Sequence, residues 1–192
     1  CRAIAILNAL LGSWGRPGGF YAQEKVALPD FPAPQPAKPE QDWKTEVQAS
    51  FPLVSTGISN VMVDASAGPD AFFKGWFVYA TNLSTTLPAV REQLERAAQS
   101  LELVVVVDTM PAEITGYADV VLPECTYLER FDDLRNKAER TPTLALRMPA
   151  FAPKYDSKPA WWIAKGLAER LSLGDYFPWQ DYREVLDWQL KQ

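Results

Sequence analysis

Trp76-Phe77-Val78-Tyr79-Ala80, Leu103-Val104-Val105-Val106-Val107 and Asp119-Val120-Val121-Leu122 are three short apolar runs that follow one another along the chain. Aromatic and β-branched residues dominate them, as is typical of strands, and the unbroken aliphatic run in the middle suits a strand covered on both faces. Residues 88–101 place apolar side chains at helical spacing opposite charged ones, with Thr86 or Thr85 as the expected cap of that helix, and residues 112–117 form a shorter helical segment. The pattern predicts a β-α-β-α-β unit with parallel strands.

Polar residues follow each of the three predicted strands. In an open parallel sheet, ligands bind in the crevice beyond the carboxyl ends of the strands. A carboxylate that directly follows an apolar strand can accept two hydrogen bonds, from ribose hydroxyls or from the N1 and N2 groups of a guanine. Polar strand ends are just as typical of exposed loops without a ligand, so the pattern leaves both interpretations open. The polar residues at these ends are Thr81, Asn82, Asp108, Thr109, Glu124 and Cys125.

The usual phosphate-binding loops are absent from the sequence. It contains neither G-x-G-x-x-G nor G-x-x-x-x-G-K-[ST]. Residues 12–19 hold four glycines, which could let the backbone approach a phosphate, but a helix stop followed by a tight turn is the more ordinary explanation. An ordinary Rossmann dinucleotide site and a P-loop site are therefore both unsupported, although the predicted fold class is α/β with a parallel Rossmann-like sheet and flanking helices.

Composition excludes several classes of function. The net charge is −5 and no basic block occurs among the 192 residues, so nucleic acid is not an expected partner. No apolar run approaches the roughly 20 residues that a membrane-crossing helix needs. There is no histidine, and the two cysteines are Cys1 and Cys125. This excludes a zinc site of the usual kind, a four-cysteine iron–sulfur cluster and any histidine-based acid–base mechanism within this sequence.

Four regions are predicted along the chain: a helix and glycine-rich turn at 1–20, a proline-rich loop region at 21–60, an α/β nucleotide-binding core at 61–150, and a helical segment at 151–192. A short strand at 61–63, a helical turn at 69–73 and a strand at 143–147 are also expected. The first and last helical patterns begin and end abruptly, which predicts an internal part of a larger multi-domain subunit. The charged run at 126–142 is typical of a solvated surface, though its charges could also line a cleft.

Several phrases together resemble one enzyme family. Residues 8–19, 79–82, 107–113, 117–124 and 127–130 are similar to the catalytic subunits of the molybdopterin oxidoreductase (dimethyl sulfoxide reductase) family. The phrase Tyr117-Ala118-Asp119-Val120-Val121-Leu122-Pro123, with Val107-Asp108 upstream, is fairly specific for it. Residues 132–135 and 155–162 look most like the polysulfide/thiosulfate reductase branch.

The resemblance implies a cofactor and its contacts. The family holds molybdenum, or sometimes tungsten, through the dithiolenes of two molybdopterin guanine dinucleotides (bis-MGD), and an α/β domain of this kind binds the nucleotide end of one of them. Carried over by motif, Asn82 and Asp108 would meet ribose or guanine, and weaker candidates at the same edge are Thr81, Thr85, Glu124 and Cys125. The metal ligand and the iron–sulfur cysteines would lie elsewhere in the subunit, so no catalytic or metal-binding residue is expected here.

Two departures from the family pattern concern the pterin contacts. Many members place a glycine before the polar residue of the first strand end and a proline after it, where this chain has Ala80-Thr81-Asn82-Leu83. Many also follow the third strand with a Gly-Thr and Asn-containing phrase, where residues 131–134 stand here.

The function that the resemblance implies is reduction of a sulfur compound of the polysulfide, thiosulfate or tetrathionate type in anaerobic respiration. Alternatives are an arsenate- or formate-type member, a non-catalytic electron-transfer relative without molybdenum, and a free-standing nucleotide-binding module. The implied partners are an iron–sulfur electron-transfer subunit, a membrane anchor subunit, and a small-molecule substrate. The implied location is the periplasm or the outer face of the cytoplasmic membrane.

Overall fold

The computed structural model describes residues 2–21, 23–35, 59–88 and 90–191. It divides into two compact units, which are described separately. The sheet unit comprises Ala33–Thr126 and Pro153–Gly174, and the terminal unit comprises Cys1–Pro32, Tyr127–Ala152 and Asp175–Gln192. The four regions predicted from the sequence stay a prediction, and most of the proline-rich loop region at 21–60 lies outside the described residues.

Helices and strands alternate along the middle of the chain. The helices are α1 (Arg2–Leu10), α2 (Ser59–Asp64), α3 (Leu83–Thr86), α4 (Arg91–Ser100), α5 (Ala160–Arg170) and α6 (Tyr182–Lys191), with 3-10 turns at Glu113–Tyr117 and Gly174–Tyr176. The strands are β1 (Gly75–Tyr79), β2 (Leu103–Asp108), β3 (Val120–Pro123), β4 (Arg135–Lys137) and β5 (Thr143–Ala145).

The three predicted strands form one parallel sheet in the order β1-β2-β3. Val78 pairs with Val106, and Val106 pairs with Val121, so the strands run side by side with their carboxyl ends at one edge. This confirms the α/β fold class and the parallel arrangement.

One face of the sheet carries the core of the unit. Val104 and Val106 of β2 are 2% and 0% exposed and pack with Val63, Leu94 and Ile114 from the flanking helical segments. These side chains leave water together, and each contributes about 1.5–3 kcal/mol when fully buried. The core therefore fixes β2, the central strand, most firmly.

The other face is only partly covered. Val107 of β2 is 1% exposed, but Phe77 and Tyr79 of β1 are 53% and 45% exposed. They line a cavity of about 390 Å³ together with apolar residues of α5. The middle strand β2, predicted to be covered on both faces, is thus covered more fully than its neighbour β1, for which no such prediction was made.

Three local predictions were wrong. Residues 61–63 belong to α2 instead of a strand, because Val63 turns into the core at 0% exposure and a short apolar run suits either element. Residues 69–73 form no helix, although the Ala71 N–H does bond to the Gly68 carbonyl oxygen at 3.2 Å in a turn. The helix expected from Pro88 begins at Arg91.

Thr85 and Thr86 do not cap α4, which was the expected role. They lie inside the separate short helix α3, and their hydroxyls donate to the Asn82 carbonyl oxygen at 3.2 and 2.9 Å. Threonine side chains commonly bond back to the preceding turn in this way. The loop between β1 and α4 is thereby folded into a turn of its own.

The terminal unit holds the antiparallel pair β4–β5 and the helices α1 and α6. The side chain of Asn136 exchanges hydrogen bonds with the main chain of Val26 at 3.1 and 2.6 Å, which joins the amino-terminal segment to β4. Within the charged run, Arg130 pairs with Asp132 at 2.9 Å. Burial, and then the nearby Asp133, raise the pKa of the Tyr182 hydroxyl well above its usual range.

Candidate functional site

Asp108 is the last residue of β2 and stands at the carboxyl edge of the sheet. Its carbonyl oxygen accepts the Glu124 N–H at 2.9 Å, and its Oδ1 accepts the Thr109 N–H at 2.7 Å. Within the described ranges no donor reaches its Oδ2. A half-buried carboxylate on a rigid strand therefore keeps one oxygen available to a ligand.

Asn82 and Glu113 form a second polar group at the same edge. The Asn82 Nδ2 donates to Glu113 Oε2, which joins the loop after β1 to the 3-10 turn after β2. The main-chain N–H of Glu113 and this amide hold the pKa of the Glu113 carboxyl below its usual range. Glu113 is consequently ionised at neutral pH and acts only as an acceptor.

The oxygen of the Asn82 amide lies on the protein side of the turn. Asn82 Oδ1 is buried, and none of the described residues donates to it; the same holds for Ser84 Oγ two positions later. A buried acceptor without a donor costs about 1–3 kcal/mol. The two orphaned oxygens indicate that this turn is built around polar interactions that the chain does not complete with its described residues.

Glu124 is a buried acid, 3% exposed. It accepts a hydrogen bond from the Tyr79 hydroxyl at 3.0 Å, which links the ends of β1 and β3. A carboxylate held in this way stabilises the edge of the sheet more readily than it reaches a ligand.

Cys125 is completely buried at 0% exposure, and its Sγ lies 3.7 Å from Ser157 Oγ. Its main-chain N–H donates to the Lys158 carbonyl oxygen at 3.1 Å. A thiol in this position packs as a small apolar group.

The two threonine candidates differ: Thr81 lines a crevice of about 430 Å³ along β1, and Thr85 is exposed on α3.

The structure thus brings the predicted residues together in two groups at one sheet edge. Asp108 is tied through its main chain to Glu124, and Asn82 is tied to Glu113. Sequence reasoning missed Glu113 and Tyr79 as members. Glu113 could have been found, because it is the next acid after Asp108 and opens the turn that follows β2.

The chemistry of this edge is that of binding. Its side chains are carboxylates, an amide and hydroxyls, and nowhere in the described residues do three or more metal-binding side chains gather. Its open groups, such as Asp108 Oδ2, suit a ligand rich in N–H and O–H donors. No helix in the described part of the chain has the length and apolar character needed to cross a bilayer.

Ala80, between β1 and Asn82, has a left-handed backbone with φ of 48°. This conformation costs an alanine about 1–2 kcal/mol, and glycine adopts it freely. We expect Ala80→Gly to stabilise the sheet unit by about 0.5–1 kcal/mol, after the greater backbone entropy of glycine is subtracted. The measurement is hydrogen exchange of the β1 amides in the complete polypeptide.

The matched control is Ala118→Gly. Ala118 has φ of −82°, so glycine brings no relief of strain there and only loosens the chain. Slower exchange in the Ala80 variant and faster exchange in the Ala118 variant is the expected pair of results. Equal destabilisation by both substitutions would show that Ala80 carries no strain.

Comparison with known proteins places the chain. The family model for molybdopterin oxidoreductases matches residues 1–170. The chain belongs to the molybdopterin oxidoreductase family. This confirms the resemblance inferred from the motifs, and the cofactor of the family is a molybdenum–pterin group.

Relatives in this family include proteins of sulfur metabolism. The chain is 34% identical over 196 aligned positions to the molybdopterin-containing subunit of thiosulfate reductase from Salmonella typhimurium, covering 94% of this chain and 26% of that protein. It is 28% identical to a sulfite dehydrogenase subunit from Allochromatium vinosum, covering 90% of this chain and 22% of that protein. The chain therefore spans about a quarter of the length of these relatives.

One solved structure is also similar in fold. Acetylene hydratase from Pelobacter acetylenicus superposes with a TM-score of 0.54 at 24% identity, over 68% of this chain and 18% of that one. At this identity the likeness supports the fold alone. The other matches include formate dehydrogenase and perchlorate reductase subunits, so membership of the family does not select a substrate.

The residues at the sheet edge fit a part of such a cofactor that is rich in hydrogen-bond donors. Asp108 Oδ2 is an open acceptor for N–H and O–H donors. Asn82 Nδ2, on the exposed side of the same edge, carries a second hydrogen besides the one donated to Glu113. Asn82 and Asp108 are the residues that would hold the group.

Proposed function

We propose that this chain is part of the catalytic subunit of a molybdenum oxidoreductase, in which it binds the guanosine end of a molybdopterin guanine dinucleotide. The bound molybdenum supplies the two-electron chemistry, while this segment supplies position. The observation that carries the proposal is Asp108, whose carboxylate ends the buried central strand with one oxygen open.

The position of Asp108 explains why guanine suits it. Ligands of parallel sheets lie beyond the carboxyl ends of the strands, where Asp108 stands. The N1–H and N2–H groups of guanine are adjacent donors that a carboxylate can accept together, whereas adenine offers no such pair. A charge-assisted hydrogen bond of this kind contributes about 1.5–3 kcal/mol.

We propose a sulfur compound of the polysulfide, thiosulfate or tetrathionate type as the substrate. The similarity to the thiosulfate reductase subunit over 94% of this chain favours it over arsenate or formate. An iron–sulfur cluster elsewhere in the polypeptide, a membrane anchor subunit, and an iron–sulfur electron-transfer subunit belong to the same proposal. So does a location in the periplasm or at the outer face of the cytoplasmic membrane.

The test is to purify the complete subunit, then to measure molybdenum and guanine nucleotide per polypeptide. We expect two guanine nucleotides for each molybdenum atom, and reduction of at least one of thiosulfate, polysulfide and tetrathionate. Molybdenum without guanine would contradict the dinucleotide. Turnover confined to arsenate or formate would contradict the substrate class.

A further inference from the structure

The contact between Asn82 and Glu113 fixes which way the Asn82 amide points. A carboxylate such as Glu113 can only accept, so the amide must turn its nitrogen toward it. The contact lies at the exposed side of the turn, whereas Asn82 Oδ1 lies on the buried side at a position where no described residue donates to it. The amide thus keeps this orientation although its oxygen receives no hydrogen bond from a described residue.

This orientation decides what Asn82 can offer a ligand. The amide nitrogen carries two hydrogens, and Glu113 takes one of them. The second hydrogen has no acceptor among the described residues, and the oxygen is turned to the buried side. Asn82 is therefore a donor at the sheet edge, in contrast to the neighbouring acceptor Asp108.

We propose that Glu113 is a positioning residue that holds the Asn82 amide with its nitrogen outward, so that Asn82 donates a hydrogen bond to a ribose or phosphate oxygen of the bound nucleotide. The inference rests on the proposed nucleotide-binding function and assigns different parts of the nucleotide to different residues. Asp108 recognises the donors of the base, and the Asn82–Glu113 pair recognises an oxygen of the sugar or phosphate.

Without Glu113, the amide has no reason to prefer this orientation. Turned over, it would present its oxygen, an acceptor, against a ligand oxygen. The loss of one hydrogen bond and its replacement by a repulsive contact should weaken binding roughly tenfold. A glutamine at the same position can accept from Asn82 Nδ2 through its carbonyl oxygen, but its NH2 group can also donate to a turned-over Asn82 Oδ1, so we expect a smaller loss than with alanine.

The experiment measures binding of GDP, IDP and guanosine to the complete, cofactor-free subunit by titration calorimetry. The variants are Glu113→Ala, Glu113→Gln, Asn82→Ala and the Asn82→Ala/Glu113→Ala double variant, with circular dichroism to compare their folding. We expect Glu113→Ala to weaken GDP binding about tenfold, Glu113→Gln to stay within about threefold of wild type, and the GDP-to-IDP ratio to stay unchanged. In the Asn82→Ala background, Glu113→Ala should have no further effect.

Comparison of GDP with guanosine also distinguishes a contact to a ribose oxygen from a contact to a phosphate oxygen. A loss seen with GDP and guanosine alike assigns the contact to ribose, and a loss confined to GDP assigns it to phosphate; both support the proposal. Equal weakening by Glu113→Ala with and without Asn82, or equal loss in the alanine and glutamine variants, would overturn it and leave Glu113 a purely structural role. If the wild-type subunit binds no guanine nucleotide, the proposed function fails and this inference falls with it.

Discussion

Asp108→Ala is expected to lower the guanine nucleotide and molybdenum content of the purified complete subunit by roughly tenfold or more at limiting cofactor. The lost interaction is a charge-assisted hydrogen bond of about 1.5–3 kcal/mol, and a second one doubles it when both carboxylate oxygens take part. Each 1.4 kcal/mol corresponds to a tenfold change in affinity. Activity per bound molybdenum should change much less, because the contact serves retention of the cofactor.

The burial of β2, the strand that ends in Asp108, supports this expectation. Val106 and Val107 are 0% and 1% exposed, so the backbone that carries the carboxylate is held by the core and not by the ligand. A group placed on a rigid element loses little entropy when it binds. The substitution should accordingly remove the contact without unfolding the strand.

Glu102→Ala is the matched control for Asp108→Ala. Glu102 is an exposed acid directly before β2, at the opposite end of the same strand. Its substitution changes the net charge by the same amount as Asp108→Ala, but Glu102 lies away from the proposed site. Full cofactor content in the Glu102 variant and depleted content in the Asp108 variant support the assignment. Full content in both would sink it.

Leu94→Ala is expected to destabilise the sheet unit by about 2–5 kcal/mol. Leu94 is 1% exposed and packs from α4 into the cluster that includes Val63, Val104 and Val106. Truncation removes buried methyl groups and leaves a cavity that the rigid sheet cannot fully close. The lost burial and the cavity both weaken the packing of α4, the helix that connects β1 to β2.

Hydrogen exchange of the β2 amides in the complete polypeptide measures this loss. Protection should fall by roughly one and a half to three and a half orders of magnitude, at 1.4 kcal/mol for each factor of ten. Leu171→Ala is the control, because Leu171 is 68% exposed and a surface truncation changes stability by about 0.5 kcal/mol or less. A similar small loss at both positions would show that Leu94 does not support the core.

Much of the fold could be predicted from the sequence because its signals are local. The run at 103–107 is almost entirely β-branched, which favours a buried strand, and the helical periodicity of 91–100 suits the crossover from β1 to β2. The motifs also identified the family correctly. They succeeded because strand, turn and helix signals there agree with the global fold.

The short elements show where local signals fail. Residues 61–63 carry β-branched side chains but form a helix, because burial of Val63 against α4 outweighs their weak preference for a strand. Thr85 and Thr86 were natural caps by composition, yet they close a separate turn on Asn82. Three- and four-residue segments carry too little preference to resist tertiary packing.

The sequence by itself determined the three parallel strands, the polar residues at their ends and the family to which the chain belongs. Only the tertiary structure decided which of those residues are available to a ligand. It buried Glu124 against Tyr79 and enclosed Cys125, left Asp108 with an open oxygen, and brought Glu113 from the second strand end to Asn82 from the first. The physical reason is that exposure and hydrogen-bond partners depend on residues distant in the chain, whereas strand and helix signals depend on neighbours.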